Sequence, residues 1–314
     1  MRCIFSRRAF NSSQSGPAQG APYDASAWRA VVRVLRSPLT APLARSVTTP
    51  LHDLGAVFFP SPCRLCSGPL LRVTAAPVCD ACLARLLPQH NDLCARCGEN
   101  LGMESYGSTA PRECQVCRLV PPPFQRAAAF GAYQEETRSA LHLLKYEGLT
   151  AMAQPLGALL AQAMLMLEPE SPPAMTVVAV PLFATREWAR GYNQSILLAE
   201  SALATLHRQR PAWRLQTAHS ALVRKRDTDS HFQLAPHQRR ENLKNAFAVV
   251  EKARIAGRDV LLVDDIYTTG ATARECARTL IAAGASSVWV ATLARAQVET
   301  FTRWKPPDAA ETTH

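Results

Sequence analysis

Long apolar runs are missing from this chain: no uninterrupted stretch in its 314 residues approaches the roughly 20 that a membrane-spanning helix requires. An export signal is lacking as well, because no apolar segment of adequate length follows the early arginines. The sequence also has neither the Gly-Lys-Thr or Gly-Lys-Ser of a P-loop nor the Gly-x-Gly-x-x-Gly of a dinucleotide-binding fold. We therefore expect a cytoplasmic protein that holds its ligand through a different motif.

Composition indicates a soluble globular protein, with 47% hydrophobic and 19% charged residues. The formal net charge of +10 favours anionic partners, and phosphorylated substrates explain it as readily as nucleic acid does. Early arginines lead into a Ser/Gly/Pro/Ala-rich stretch at 11–21 that contains little that can pack. We expect a poorly ordered basic arm over residues 1–54, with helical periodicity only in short segments at 28–35 and 51–59.

The most informative segment runs from Val260 to Thr272 and reads Val-Leu-Leu-Val-Asp-Asp-Ile-Tyr-Thr-Thr-Gly-Ala-Thr. Its four apolar residues predict a buried parallel strand that ends at Asp264 and Asp265, and a helix is expected over 273–283. Backbone N–H groups at a helix start bind anions, and adjacent carboxylates can accept hydrogen bonds from two neighbouring sugar hydroxyls. The segment thus predicts a ribose 5-phosphate site rather than an ordinary turn with two solvated acids. Its phosphate would lie among Thr268, Thr269, Gly270, Ala271 and Thr272.

Eight of the ten cysteines form four Cys-x-x-Cys pairs, namely Cys63/Cys66, Cys79/Cys82, Cys94/Cys97 and Cys114/Cys117. Two such turns complete a closed tetrahedral site for a structural zinc ion. Sequence order assigns the first two pairs to one ion and the last two to another, while crossed pairing and the filling of one site or both stay open. Disulfides are the alternative, but they would require export to an oxidising compartment. This segment has a single aromatic residue, Tyr106, so it lacks a stacking platform for bases.

Strands alternate with helices after the proline run 121–123. Strands are expected at 127–133, 177–180, 246–250, 260–263 and 288–293, and helices at 135–146 and 195–208. This alternation predicts an open parallel α/β sheet whose ligands bind at the carboxyl edge of the strands.

Two basic segments are candidates for contact with the same ligand. Arg186 and Arg190 lie in an expected loop after the strand at 177–180, where guanidinium groups suit a pyrophosphate; the alternative is an exposed basic loop. The segment 224–228 reads Arg-Lys-Arg-Asp-Thr. It is open to three interpretations: a mobile flap over the diphosphate, a face for nucleic acid, or a solvated loop.

Together these motifs resemble two related groups of proteins. The Asp264–Thr272 segment is similar to the phosphoribosyl pyrophosphate (PRPP) motif of type I phosphoribosyltransferases. Over roughly residues 55–295 the chain resembles the ComF family. The shared motifs, in order, are the four Cys-x-x-Cys turns, Leu144-Lys145-Tyr146, Val180-Pro181-Leu182, Arg190-Gly191-Tyr192-Asn193-Gln194, Arg240-x-Asn242 and Val263-Asp264-Asp265. Members of that family are regarded as phosphoribosyltransferases with an N-terminal double zinc ribbon, linked in several bacteria to natural transformation and the use of external DNA.

The resemblance implies a fold and a set of roles. It implies a double zinc ribbon over 55–120, a type I phosphoribosyltransferase-like domain with an open, mostly parallel sheet flanked by helices over 124–297, and a tail over 298–314. Asp264 and Asp265 would hold the ribose hydroxyls with the help of magnesium. The Thr268–Thr272 loop would hold the 5-phosphate, and Arg186 and Arg190 the pyrophosphate. The catalytic residues for displacement of pyrophosphate at the anomeric carbon would then be Asp264, Asp265 and Arg190.

The acceptor of the phosphoribosyl group is not indicated. Thr268 stands where many purine phosphoribosyltransferases carry an acid, which argues against hypoxanthine or guanine as the acceptor. Glutamine-dependent amide transfer is not supported either, because no N-terminal nucleophilic cysteine precedes the domain. A non-enzymatic alternative therefore stands beside the transferase: a PRPP-binding or DNA-handling adaptor whose ribbon contacts a competence-machinery protein or single-stranded DNA.

Overall fold

The computed structural model describes residues 62–70, 75–89, 92–102, 112–227 and 242–297. The expected basic arm, its two helical segments and the tail at 298–314 lie outside the described residues, as do residues 228–241. The domain limits expected from the sequence therefore remain predictions.

The main sheet contains five strands: β1 (Ala127–Ala132), β2 (Ala174–Ala179), β3 (Arg214–Thr217), β6 (Asp259–Tyr267) and β7 (Ser287–Arg295). Their order across the sheet is β1-β7-β6-β2-β3, and each strand is parallel to its neighbours. The apolar run of β6 from Val260 to Val263 is fully buried, as expected for a central strand that is covered on both faces. The predicted open parallel sheet is confirmed.

In the described residues, two short helices lie in the cysteine-rich segments and the other helices follow strands of the sheet. In chain order they are α1 (Asp80–Leu83), α2 (Gln115–Leu119), α3 (Glu135–Tyr146), α4 (Ala153–Leu165), α5 (Ala184–Arg190), α6 (Gln194–Gln209) and α7 (Ala271–Ala282). Short 3-10 turns occur at Thr150–Met152, His219–Ala221 and Lys252–Arg254. Within the described ranges, no helix combines the length and apolar character that crossing a membrane would require.

Several elements differ from the sequence-based expectation. Strand β6 continues past Val263 through both aspartates to Tyr267, because its backbone keeps pairing with β7. The segment that contains Arg186 and Arg190 is helix α5 rather than a loop. The strand expected at 246–250 is β5 (Phe247–Val249), which pairs antiparallel with β4 (Leu222–Arg224) outside the main sheet.

The two cysteine-rich segments differ in how they meet the sheet. Cys94, Cys97 and Cys117 belong to the same buried cluster as Phe124, Ala127, Tyr267 and Cys276, so the second segment is part of the core of the domain. The backbone N–H of Ala127, the first residue of β1, also donates to the carbonyl of Arg96 (2.7 Å). The first segment is joined to α3 by the surface ion pairs Arg64–Glu147 and Arg85–Glu136.

Candidate functional site

Asp264 and Asp265 are held by the start of helix α6. Strands β6 and β2 are neighbours, so their carboxyl ends lie at the same edge of the sheet, where α6 begins. The Ser195 hydroxyl donates to Oδ1 of Asp264 (3.0 Å), and the Gln194 amide donates to Oδ2 of Asp265 (2.8 Å). Oδ1 of Asp264 also accepts the backbone N–H of Asp265 (2.9 Å). Both carboxylates are therefore fixed before any ligand arrives.

Asn193 explains why α6 begins at this place. Its side-chain oxygen accepts the backbone N–H groups of Ser195 (2.9 Å) and Ile196 (3.4 Å), which is the usual role of an N-cap asparagine. Its amide nitrogen donates to the carbonyl of Val180 (3.1 Å), the residue after β2. The cap thus fastens the first turn of α6 to the sheet edge.

Lys145 brings a buried cation to the same edge. Its ammonium lies 2.9 Å from Oδ2 of Asp265, and the two side chains are only 16% and 7% exposed. Burial alone would lower the pKa of Lys145, but the attraction of Asp265 outweighs it and the net shift of the pKa is upward. Lys145 is therefore charged, and it offsets part of the negative charge of the paired aspartates.

The pKa of Asp264 is raised from its ordinary 3.8 to about 7. The main cause is burial, which disfavours the charged carboxylate, and the neighbouring Asp265 adds to it. The hydrogen bonds from the Asp265 backbone and from Ser195, together with the charge of Lys145, act in the opposite direction without cancelling the effect. Asp264 therefore changes its protonation state near neutral pH.

The Thr268–Thr272 loop follows β6 and opens helix α7. It forms a cleft with Asp264, whose wall contains Ile266, Tyr267, Thr268, Gly270, Thr272, Ala273 and Thr292. Gly270 is the N-cap of α7 and has a φ of +74°, a backbone conformation that favours glycine. A Cβ atom there would also lie 2.1 Å from the Tyr267 hydroxyl oxygen. Glycine at this position therefore lets the loop close against that ring without strain.

The two arginines of α5 lie in different surroundings. Arg190 donates to the amide oxygen of Gln194, and its guanidinium lies 5.5 Å from the ring centroid of Tyr146. Arg190 is thus connected to Asp265 through Gln194. Arg186 instead forms an ion pair with Oδ1 of Asp227 (3.2 Å), a residue of the second basic segment.

The sequence-predicted site residues are therefore brought together in part. Asp264, Thr268, Gly270 and Thr272 line one cleft, whereas Thr269 and Ala271 are linked locally by a hydrogen bond from the Ala271 backbone N–H to the Thr269 hydroxyl (3.4 Å). Lys145, Asn193, Gln194 and Ser195 carry roles that the sequence analysis did not assign. Asn193 ahead of an apolar helix was an available N-cap signal, but nothing local marked Lys145 as a partner of Asp265.

The cysteines group in sequence order into two quartets. The first cluster consists of Cys63, Cys66, Cys79 and Cys82, and the second consists of Cys94, Cys97, Cys114 and Cys117. Within each cluster, all four sulfur atoms lie within 4.8 Å of one another. Sulfur pairs at 3.7–3.9 Å match the edge of about 3.8 Å that a tetrahedron with Zn–S bonds of about 2.3 Å requires. Every cysteine in the described ranges is free. The donor sets fit zinc.

Backbone N–H groups support one thiolate in each cluster. Cys79 donates to the sulfur of Cys63 (3.3 Å), and Cys114 donates to the sulfur of Cys94 (3.2 Å). With four protein ligands each site is closed, so a bound ion would have no open position for water or substrate. A zinc ion held there would be structural rather than catalytic.

A parallel α/β sheet with paired acids and a hydroxyl-rich loop at its carboxyl edge defines a phosphoribosyltransferase-type domain. In agreement, the family model described as "Phosphoribosyl transferase domain" matches residues 201–311. The DNA utilization protein YhgH of Salmonella typhi is 34% identical over 238 residues, which cover 75% of this chain and 97% of that protein. Competence protein F of Haemophilus influenzae is 29% identical over 247 residues, 76% of this chain and 99% of its own. The chain belongs to the ComF family.

Among solved structures, the allosteric regulatory enzyme of purine biosynthesis matches 46% of this chain and 26% of its own, with 23% identity and a TM-score of 0.29. A likeness at that TM-score carries no argument about function.

Proposed function

We propose that the protein binds PRPP at the carboxyl edge of the sheet and transfers its phosphoribosyl group to an acceptor, with release of pyrophosphate. The observation that carries this proposal is the single cleft lined by Asp264 and by Thr268, Gly270 and Thr272. A carboxylate acceptor for sugar hydroxyls and a helix N-terminus for a phosphate monoester are the two features that a ribose 5-phosphate requires.

The aspartates orient the sugar in this proposal. The contacts of Asp264 with Ser195 and of Asp265 with Gln194 and Lys145 hold both side chains in place. The ribose hydroxyls would donate to carboxylate oxygens that need no rearrangement, so the anomeric carbon is presented at a fixed position. The positive charge of Lys145 offsets part of the negative charge of the two aspartates, which lowers the cost of burying them.

Magnesium would join with the diphosphate. Carboxylate oxygens are suitable ligands for Mg²⁺, which retains several waters and takes phosphate oxygens, so the ion needs no dedicated protein cage. When bound, it neutralises charge that develops on the leaving pyrophosphate. Asp264 and Asp265 are the residues that would hold its hydration shell.

Arg190 is the residue that we assign to the pyrophosphate. It lies at the end of α5, bonded to Gln194 and beside Tyr146, close to the aspartates. A guanidinium binds phosphate oxygens through paired N–H groups and so stabilises the charge released as the bond to the anomeric carbon breaks. Arg186 would join it after leaving Asp227, its partner in this structure.

A second function keeps the binding site but not the chemistry. Thr268 carries no carboxyl group that could take a proton from an incoming base, and this favours a PRPP-binding adaptor. The names of the relatives, DNA utilization protein and Competence protein F, are consistent with a role in DNA utilization or competence. The cysteine clusters would then present a surface for a competence-machinery protein or for single-stranded DNA.

Calorimetry with PRPP and excess Mg²⁺ tests the binding that both functions share. We expect saturable binding by the full chain and a loss of at least about tenfold in affinity for Asp264→Asn, because an amide nitrogen cannot accept a hydrogen bond from a sugar hydroxyl. Asp259→Asn is the matched control, since Asp259 begins the same strand and bonds Ser287 at the opposite edge. Absence of binding by the full chain would refute both functions.

Pyrophosphate release then separates the enzyme from the adaptor. The full chain is incubated with PRPP and Mg²⁺ and with sets of nucleobases and amines. Release that depends on one acceptor and is lost in Arg190→Met supports the transferase. Binding without release for any acceptor supports the adaptor.

A further inference from the structure

Arg295 is a buried guanidinium that the chemistry described above does not use. It is the last residue of β7, and its residue surface is only 3% exposed. Its Nη2 donates to the sulfur of Cys97 (3.5 Å) and to the carboxylate of Glu99. Within the described part of the chain, its Nε and Nη1 atoms are buried and lack a hydrogen-bond partner. A buried arginine with two unsatisfied nitrogens is costly, so something other than folding alone must favour it.

On its other side Arg295 lies against Tyr267, the residue that precedes the Thr268–Thr272 loop. Its guanidinium carbon is 4.4 Å from the ring centroid of Tyr267, its partner in the β6–β7 register. A cation over an aromatic face at that distance is attracted by the ring. The Tyr267 ring in turn fills the space beside Gly270, where a Cβ atom would meet the hydroxyl oxygen at 2.1 Å. Tyr267 and Gly270 both line the ligand cleft.

The chain of contacts therefore runs from Cys97 through Arg295 and Tyr267 to Gly270. We propose that Arg295 is a positioning residue through which the second cysteine cluster, when it holds zinc, keeps the Thr268–Thr272 loop in its ligand-binding shape. Four thiolates around one divalent ion leave a net negative charge, and Arg295 offsets this charge from the side of the loop. The effect on ligand affinity rests on the proposed PRPP site; the effect on the loop itself does not.

The first cluster offers an internal comparison. In the described residues its sulfur atoms bond one another and backbone groups of the same segment, such as that of Cys79, and no side chain of the sheet is recorded as a donor to them. Its charged links to the domain are the surface pairs Arg64–Glu147 and Arg85–Glu136, both with α3. Loss of a ligand from that cluster should remove zinc without loosening the loop.

The first test compares Cys97→Ser with Cys66→Ser in the full chain without ligand. Zinc content is measured by atomic emission and loop order by amide hydrogen exchange over residues 267–272. We expect each variant to lose about one zinc ion, and exchange in the loop to become about tenfold faster only in Cys97→Ser. Equal protection of the loop in the two variants would overturn the proposal, whatever the protein does with PRPP.

The second test removes Arg295 and leaves every cysteine in place. Arg295→Met is compared with Arg278→Met, whose arginine pairs with Glu275 at the surface. We expect faster release of zinc to a chromogenic chelator and about tenfold weaker binding of ribose 5-phosphate, with pyrophosphate binding unchanged because Arg190 and Arg186 are untouched. Arg295→Lys should restore zinc retention in part. A general loss of structure would weaken both ligands equally and would contradict the proposed role.

If Arg295→Met does not fold, Tyr267→Leu decides the question. It interrupts the same chain of contacts between Arg295 and Gly270 without altering the charge near the cluster. Normal zinc retention together with faster exchange over residues 268–272 supports the proposal. Unchanged exchange in the loop refutes it. If the wild-type protein shows no affinity for ribose 5-phosphate, the PRPP site is wrong, and the exchange experiments still decide the role of Arg295.

Discussion

At the scale of single residues, Asp264 and Asp265 are neighbours in sequence with different surroundings. Asp265 bonds the cation of Lys145 and the amide of Gln194, whereas Asp264 has a hydroxyl and a backbone N–H as partners. The proton that the pair accepts most easily therefore resides on Asp264, whose pKa is raised to about 7 by burial and by Asp265. Protonation of this one carboxyl is thus a change that occurs within the physiological range.

PRPP binding should consequently depend on pH near neutrality. Below a pKa of about 7 the Asp264 carboxyl is protonated, and a neutral acid accepts hydrogen bonds from sugar hydroxyls less strongly than a carboxylate does. We expect affinity to rise about tenfold between pH 6 and pH 8, following the ionised fraction of this group. Calorimetry across that range measures it. In Asp264→Asn, the affinity should change with pH only as far as the phosphate groups of the ligand titrate. An unchanged pH dependence in this variant would show that a group other than Asp264 causes it.

The sequence predicts the part of the site that is contiguous. The aspartates and the threonine loop follow one another along the chain, so local pattern alone locates them. Lys145, Gln194 and Ser195 come from helices remote in sequence; Gln194 is 71 positions from Asp265. Contacts of that kind depend on strand order in the sheet, and no local signal encodes the order.

At the scale of elements, helix α3 has the predicted bounds, whereas α4 was not predicted at all. Nine of the thirteen residues of α4 are buried and none is charged, so it lacks the broad polar face that makes a helix recognisable by its periodicity. The opposite reason applies to α5, which buries none of its residues and therefore shows no apolar stripe. Strand β5 was recognised as a strand but assigned to the wrong sheet, because alternation of residues does not identify a pairing partner.

The packing of α4 on α6 gives a prediction at this scale. Gly157 of α4 lies so close to α6 that an added Cβ atom would be 2.4 Å from the Cβ of Ser201. Although alanine favours helices, Gly157→Ala should lower the free energy of unfolding by about 1–3 kcal/mol through overpacking. Chemical denaturation measures the change. The double variant with Ser201→Gly should recover part of it compared with Ser201→Gly alone; no recovery would show that the close contact is not the cause.

At the scale of the whole molecule, the cysteine clusters and the sheet form one structure. The described residues between 62 and 297 belong to a single compact unit, and the second cluster contributes Cys94, Cys97 and Cys117 to its core. Zinc in that cluster would therefore stabilise the domain as well as its own segment, because metal binding is coupled to folding wherever the ligands are part of the core.

Two quartets predict two zinc ions per chain and a marked dependence of stability on both. Treatment with a strong chelator should release the metal and lower the Tm by roughly 10 °C or more. Metal analysis with differential scanning calorimetry before and after chelation checks this. Restoration of the Tm by added Zn²⁺, but not by Mg²⁺, would assign the effect to the cysteine clusters rather than to the proposed PRPP site. If the purified protein contained no zinc and its Tm were the same before and after chelation, structural zinc would be excluded.

The second cysteine cluster cannot be separated from the α/β domain by truncation. Its buried residues Cys94, Cys97 and Cys117 share one core with Phe124, Ala127 and Tyr267. Cutting the chain at the proline run would remove part of the core of the α/β domain and expose its apolar residues to solvent. Truncated halves would aggregate, and their phenotypes would describe misfolding rather than a missing activity. Point substitutions leave this buried contact intact. They can therefore separate the contribution of the cysteine-rich segments from that of the α/β domain in a living cell.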